Sequence, residues 1–224
     1  MTRTRLRGVV FDMDGVLIDS EPIIRAAAQN AAIEIGRTVS DAFYASVLGL
    51  PGREVEAAFM VEFGADFPLN DYRQRFERHY RGEVATRGIS PKPGVPELLD
   101  ALTAHGIPVA VATSTRAGNA QEALDAAGLL FRLPVCVTGD QVAQGKPAPD
   151  IFLAAAARIG TPAPDCIAVE DSEVGARAAV AAGMFTLLVP DLKPPSDELA
   201  ALVGEVLASM PHAASRIRAL LDLP

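Results

Sequence analysis

Residues Arg7 to Pro22 read R-G-V-V-F-D-M-D-G-V-L-I-D-S-E-P, and no other stretch limits the fold so tightly. Val9, Val10 and Phe11 form a short apolar run, the pattern of a strand buried on both faces. Asp12 and Asp14 follow with one residue between them. In extended backbone that spacing puts both side chains on the same side. Gly15 then permits a turn, or the close approach of a ligand. Two like charges at the end of a buried strand are costly. Such a pair persists when a cation sits between them or one carboxyl carries a proton. A lone Asp after a strand is commonly an N-cap or a turn residue. Two exceed what capping needs, so the stretch points to chemistry.

The chain has 224 residues, half of them hydrophobic. That is enough for one sizeable core, or a core with a small second module. A net charge of −8 argues against a general nucleic-acid binder. No apolar run is long enough to span a bilayer, and M-T-R-T-R-L-R leads straight into a strand without a signal-peptide core. No membrane partner and a cytoplasmic location are therefore expected. Cys136 and Cys166 stand far apart at the starts of apolar runs, and are expected to be buried free thiols. His79, His105 and His212 are scattered and suggest no zinc site. His105, just before Gly106, suits a helix C-terminus.

Further along, Asp19 or Ser20 can cap a helix whose first turn tolerates Pro22. Ile23, Ala27, Ala31 and Ile35 then recur at helical spacing, with Gly36 as the stop. Segments 40–48, 52–63 and 69–85 carry further helical patterns, and no strand is expected before about residue 88. Ile89-Ser90-Pro91-Lys92-Pro93-Gly94 is a hinge candidate. Beyond it the pattern alternates. Helices are expected at 95–105, 117–127, 148–159 and 173–182, and strands at 107–112, 134–137, 166–169 and 185–189. A last helix is placed at 196–208 or 211–222. Strands alternating with helices argue for a parallel sheet covered on both faces, to which strand 7–12 belongs. Residues 1–17 and 89–224 thus read as an α/β core, and 18–88 as a helical insertion.

Chemistry-bearing residues follow the strands. Thr113, Ser114 and Thr115 follow V-A-V-A; Glu170, Asp171 and Ser172 follow I-A-V; Gly145-Lys146-Pro147 precedes helix 148–159. In open α/β sheets ligands bind at the carboxyl ends of strands, and right-handed crossovers bring those ends to one edge. Each set alone has a dull explanation. Thr113–Thr115 could cap helix 117–127, Glu170 and Asp171 could be first-turn acids, and Lys146 could be a loop lysine. Together they put carboxylates, hydroxyls and one ammonium on a single edge. Helix N-termini bind anions, clustered carboxylates bind a hard cation such as Mg²⁺, and lysine supplies a point charge for phosphate. That combination suits a phosphate bridged by a metal.

In order, D-M-D-G-V-L-I-D-S, A-T-S-T, G-K-P-A-P-D-I-F and V-E-D-S-E-V-G resemble the four motifs of the haloacid dehalogenase-like phosphohydrolases. The resemblance covers nearly the whole chain and extends to the subgroup of β-phosphoglucomutase and sugar-phosphate phosphatases. It implies a Rossmann-like, doubly wound parallel sheet with a helical cap inserted after the first strand. By position, Asp12 matches the nucleophile that becomes an aspartyl phosphate. Asp14 matches the general acid that protonates the leaving alcohol and then the base that activates water. Thr113, with the Ser114 amide, matches the phosphoryl-oxygen cradle, and Lys146 the lysine that balances charge on Asp12 and phosphate. Asp171 with Glu170 matches the metal motif, completed by Asp12 and the main-chain carbonyl of Asp14, for Mg²⁺. Glu21, Arg53 and Arg116 are candidate readers of the leaving group.

The resemblance implies a Mg²⁺-dependent phosphatase acting on a small phosphorylated metabolite, a sugar phosphate by preference, and a monomer is expected. One alternative is a mutase of the β-phosphoglucomutase kind. The mutases carry a histidine in the first cap helix, and the matching position here is Ile24. Another is a non-enzymatic phospho-acceptor switch, which also combines acidic strand ends, a hydroxyl and a lysine on a doubly wound sheet. The insertion at 18–88 and the late Glu170-Asp171 argue against the switch.

Overall fold

The computed structural model describes residues 6–48, 50, 52–191 and 194–224, without the side chain of Arg53. Gly49 and Lys193 therefore lie outside the described residues. The chain divides into two compact units, Met1–Asp19 with Ser90–Pro224, and Ser20–Ile89.

The first unit is built on a six-stranded parallel sheet. Its strands are β1 (Gly8–Phe11), β2 (Val109–Thr113), β3 (Cys136–Thr138), β4 (Cys166–Glu170), β5 (Phe185–Leu188) and β6 (Glu205–Val206), in the order β3-β2-β1-β4-β5-β6. Every residue of β1, β2 and β4 is buried, as strands covered on both faces require. Five helices of ordinary length flank them: α5 (Val95–Ala104), α6 (Ala117–Ala126), α7 (Asp150–Arg158), α8 (Glu173–Ala181) and α10 (Met210–Leu220), with the short α9 (Asp197–Leu202) between β5 and β6. Helix α7 turns Ile151, Phe152, Ala155 and Ala156 inward, against Val10, Ala110, Ala112 and Val137 of three strands. Its alanines hold the helix axis close to the sheet while keeping helix propensity high.

Strand order decides where a ligand can enter. Chain direction across the sheet runs outward from β1 to β3, then restarts on the other side of β1 at β4. The reversal leaves a crevice at the carboxyl ends of β1 and β4. Register pairs Phe11 with Val169 and with Val111. Asp12 and Glu170 stand one residue past these pairs and Thr113 two, so all three lie at the carboxyl ends of neighbouring strands.

The second unit holds α1 (Glu21–Glu34), α2 (Asp41–Val47), α3 (Gly52–Phe63) and α4 (Leu69–Arg87). Its core is aromatic where the sheet's is aliphatic. Phe59 lies 5.0 Å from Phe43 and 4.8 Å from Tyr72, measured between ring centroids, with Phe63 and Phe67 closing the group. Large rings fill the irregular space between short helices with few residues. Ile24 is half-buried and packs against this cluster.

Several expectations change in detail. The tail forms both α9 and α10, with β6 between them. Two residues of strand carry no periodicity to read, and β6 exists because it pairs with Leu187 and Leu188. Ser20 occupies the N-cap position of α1, but its side chain makes no capping bond. Thr113–Thr115 do not cap α6: Arg116 is its N-cap residue, and the Ala117 amide donates to Asp140 Oδ1 at 3.2 Å. His105 does close α5, with Nδ1 2.8 Å from the Ala101 carbonyl. Both thiols are free and pushed up to about 11 by burial, yet Cys136 is only half-buried. Among the described residues no helix is long and apolar enough to cross a membrane.

Candidate active site

Strand β1 ends at Phe11, and the backbone does not continue extended through Met13. It turns, with the Leu17 and Ile18 amides donating to the Met13 carbonyl and the Gly15 amide to the Ile18 carbonyl. Spacing alone therefore does not set the direction of the two acids. Different neighbours engage Asp12 and Asp14.

The Asp12 amide is anchored by the Val169 carbonyl at 2.9 Å, which fixes the residue between β1 and β4. Asp12 Oδ1 accepts from Lys146 Nζ at 2.5 Å. The same ammonium reaches Glu170 Oε1 at 2.5 Å, and the Lys146 side chain is only 5% exposed. The Lys146–Pro147 peptide is cis. Lys146, distant in sequence, thus stands between the ends of β1 and β4. Glu170 is wholly buried, and its other oxygen accepts from the Asp171 and Ser172 amides and from Ser172 Oγ, at 2.9–3.1 Å. Ser172 Oγ in turn accepts from the Gly175 amide and caps α8. With both oxygens engaged, Glu170 orients the lysine and the helix start.

Asp12, Glu170 and Asp171 each offer a carboxylate oxygen, all within 4.8 Å of one another. Three carboxylates and one ammonium leave the cluster short of positive charge. Burial pushes Asp12 up to about 8, helped by Glu170 and Asp14, and the attraction of Lys146 does not cancel it. Burial, then Glu170 and Asp12, hold Asp171 well above the usual carboxylate range. Burial pulls Lys146 down, but Asp12 and Glu170 carry it above an ordinary lysine. Hard oxygen donors gathered without histidine or cysteine fit a cation such as Mg²⁺. A bound divalent ion would offset the burial, and after it the repulsion, that raise the two aspartates.

The Asp14 carboxylate lies outside that group. Its Oδ2 accepts from Thr115 Oγ1 at 2.9 Å. Only its main-chain carbonyl carries the metal role implied by the motif. Thr113, buried at the end of β2, accepts the Thr115 amide at 3.1 Å through its hydroxyl oxygen. That bond does not use the hydroxyl hydrogen, which can serve a phosphoryl oxygen. Ser114 is exposed, and its carbonyl leaves no room for a side chain on Gly139: a Cβ there would meet it at 2.6 Å.

Of the three candidate readers, Glu21 and Arg53 belong to the second unit and Arg116 to the first. Arg116 is exposed at the start of α6 near Asp140, whose carboxyl is lowered mainly by the Thr138 hydroxyl and only slightly by Arg116. Glu21, in the first turn of α1, hydrogen-bonds Tyr44. Arg53 sits in α3, and its side chain lies outside the described residues.

From sequence alone Gly175 and the Lys92 side chain carry no assignment, and Gly15 reads only as a turn or a point of ligand approach. Gly175 lies in the first turn of α8, and a Cβ there would overlap the Glu170 carboxylate. Gly inside a helical pattern was the available signal. Gly15 has φ +81° and faces Asp171, which a Cβ would overlap, with Asp191 Oδ2 3.4 Å from the same point. Lys92 spans Asp191 at 2.6 Å and Asp19 at 3.3 Å, while its amide donates to the Leu17 carbonyl. It thereby fastens the Asp14–Asp19 turn to the loop after β5.

A family model described as haloacid dehalogenase-like hydrolase matches residues 9–189. The chain is 37% identical over 207 residues to a probable pseudouridine-5'-phosphatase of Drosophila melanogaster, covering 90% of this chain and 88% of that one. It is 32% identical to the phosphorylated carbohydrates phosphatase of Thermotoga maritima, over 80% and 82% of the two chains. Among solved structures, CbbY from Rhodobacter sphaeroides in complex with phosphate matches with a TM-score of 0.83 and 28% identity, over 97% of this chain and all of that one.

Proposed function

Because the chain belongs to the haloacid dehalogenase-like hydrolases, we propose that it is a Mg²⁺-dependent phosphatase that hydrolyses a small, sugar-like phosphate monoester through an aspartyl phosphate on Asp12. The observation that carries this reading is the separation of the two acids. Lys146 engages Asp12 within a cation-binding carboxylate group, and Thr115 engages Asp14 outside it. One acid is set for attack and the other for proton transfer.

Asp12 attacks phosphorus while Asp14 gives its proton to the departing alkoxide oxygen. A carboxylate nucleophile divides one difficult displacement into two easier ones. Thr113, the Ser114 amide and Lys146 hold the equatorial oxygens, where charge must be stabilised. Asp14 then takes a proton from water as the water oxygen bonds phosphorus and the Asp12–phosphorus bond breaks. Asp12 and Asp171, supported by Glu170 and the Asp14 carbonyl, would hold Mg²⁺. Bound there, the ion supplies Lewis-acid stabilisation of the phosphoryl oxygens. The reading extends to the unit Ser20–Ile89, to which we assign choice of leaving group, with Glu21, Arg53 and Arg116 as candidates.

A mutase is the second reading, and Ile24 speaks against it. A side chain that packs on an aromatic cluster neither donates a hydrogen bond nor relays a proton. Assays of pseudouridine 5'-phosphate, hexitol phosphates and hexose phosphates with Mg²⁺ test both readings. Inorganic phosphate as the main product is expected. Isomerisation of β-glucose 1-phosphate to glucose 6-phosphate with little phosphate release would establish the mutase.

A further inference from the structure

Thr115 has no task in the motif chemistry, yet its position joins two groups that do. Its amide donates to Thr113 Oγ1 at 3.1 Å, and its hydroxyl donates to Asp14 Oδ2 at 2.9 Å. It lies half-buried on the loop between β2 and α6. Helix capping does not account for the hydroxyl, because Asp140 bonds the first amide of α6 and Arg116 is the N-cap residue. A single residue thus links the phosphoryl cradle to the acid that serves the leaving group.

We propose that Thr115 is a positioning residue for general acid catalysis by Asp14. The inference rests on the phosphatase reading above. With Oδ2 accepting the Thr115 hydroxyl, we place the proton that Asp14 transfers on Oδ1. Thr115 therefore selects which oxygen gives and takes the proton, and fixes its direction. As the Asp12–phosphorus bond forms and the phosphorus–ester oxygen bond breaks, the proton on Asp14 Oδ1 moves to the departing alkoxide. Because the amide of Thr115 is fastened to Thr113, the proton donor is held at a set distance from the phosphoryl group it serves. General acid catalysis depends on such alignment.

The consequence is dependence on the leaving group. A poor leaving group, such as the alkoxide of a sugar or polyol, needs the proton. p-Nitrophenolate leaves without one. The informative parameter is kcat/KM, which covers the steps up to phosphorylation of Asp12 and excludes the later attack of water.

Thr115→Val and Thr115→Ser are compared with wild type over monoesters running from p-nitrophenyl phosphate to a hexitol 6-phosphate. Thr115→Val should lower kcat/KM for the alkyl ester by about 10- to 100-fold, part of the 10²–10⁴ attributed to general acid–base catalysis. For p-nitrophenyl phosphate the loss should stay below about threefold. Thr115→Ser, which keeps the hydroxyl, should restore the alkyl ester. Equal losses on both esters, no loss on the alkyl ester, or failure of Ser to rescue would overturn the inference. Wild-type protein that hydrolyses neither ester would instead overturn the phosphatase reading, a separately visible result.

Discussion

Two carboxylates in this molecule each sit among cations, and they respond in opposite ways. Asp12, at the end of β1, is pushed up to about 8. Glu34, at the end of α1, is held down to about 2, chiefly by Arg75 on α4; burial opposes this next, and Arg78 and His79 add to Arg75. Arg75 reaches Glu34 at 2.7 Å and His79 at 2.9 Å. Solvent reaches the Glu34 side chain to 33%, against 10% for Asp12. For Glu34, water still helps carry the charge, so the cations win. For Asp12, desolvation exceeds what one lysine returns. The exposed cluster ties two helices together. The buried one is short of positive charge, which is the condition for capturing a cation and a phosphate.

The sharpest way to break this contrast is to remove a cation from each cluster. Lys146→Met should abolish turnover and cost about 3–5 kcal/mol of stability, the typical result of stranding buried partners. Urea denaturation and phosphate release measure the two effects. Removal of one arginine at Glu34 should leave turnover intact.

A larger side chain tests whether Glu170 must stay where it is. Gly175→Ala forces the Glu170 carboxylate away from the α8 amides and from Lys146. We expect a loss of about 1–3 kcal/mol, the usual cost of overpacking, with kcat falling more than KM rises. Unchanged kcat would show that the lysine does not depend on Glu170.

Acid–base behaviour separates the clusters by sign. In metal-free protein, Asp12 keeps its proton up to about pH 8, whereas the unfolded chain releases it near 3.8. Between those values the native state binds more protons, so the Asp12 contribution lowers stability as pH rises. Denaturation in chelator at pH 5 and pH 8 should show this slope, and Asp12→Asn should reduce it, leaving the part that Asp171, raised by the same burial, contributes. Glu34 runs the other way. Its contribution is present above 4.5 and is lost as pH falls towards about 2. An equal slope in Asp12→Asn would contradict the assignment.

The smallest effect belongs to Glu34→Gln. Exposed pairs contribute little and are screened by salt. The melting midpoint should move slightly, and less again at high salt, with no change in activity.

The difference between the clusters also explains what was legible in the sequence. Strands β1, β2 and β4 are apolar runs that end in or lead into Asp, Thr or Glu, so the parallel sheet and the meeting of Asp12, Lys146, Glu170 and Asp171 followed from topology. The pair of residues in β6 left no pattern, because it is strand only through its partner β5. The separation of the Asp12 and Asp14 carboxylates was hidden for another reason. It depends on a turn at Met13 and a hydroxyl 101 residues away, which no local spacing encodes. The engagement of Glu170 depends on the missing Cβ of Gly175, and the Glu34 clasp on α1 packing against α4. These are consequences of packing, and periodicity does not report them.

Mass analysis of acid-quenched protein during turnover of a phosphate monoester with Mg²⁺, in wild type and Asp12→Asn, identifies the phosphoryl acceptor directly. The prediction is one phosphoryl group on the wild-type peptide that carries Asp12, none on the variant, and no turnover by the variant. Phosphate release by Asp12→Asn above a few per cent of wild type, or a phosphoryl group on another residue, would contradict it.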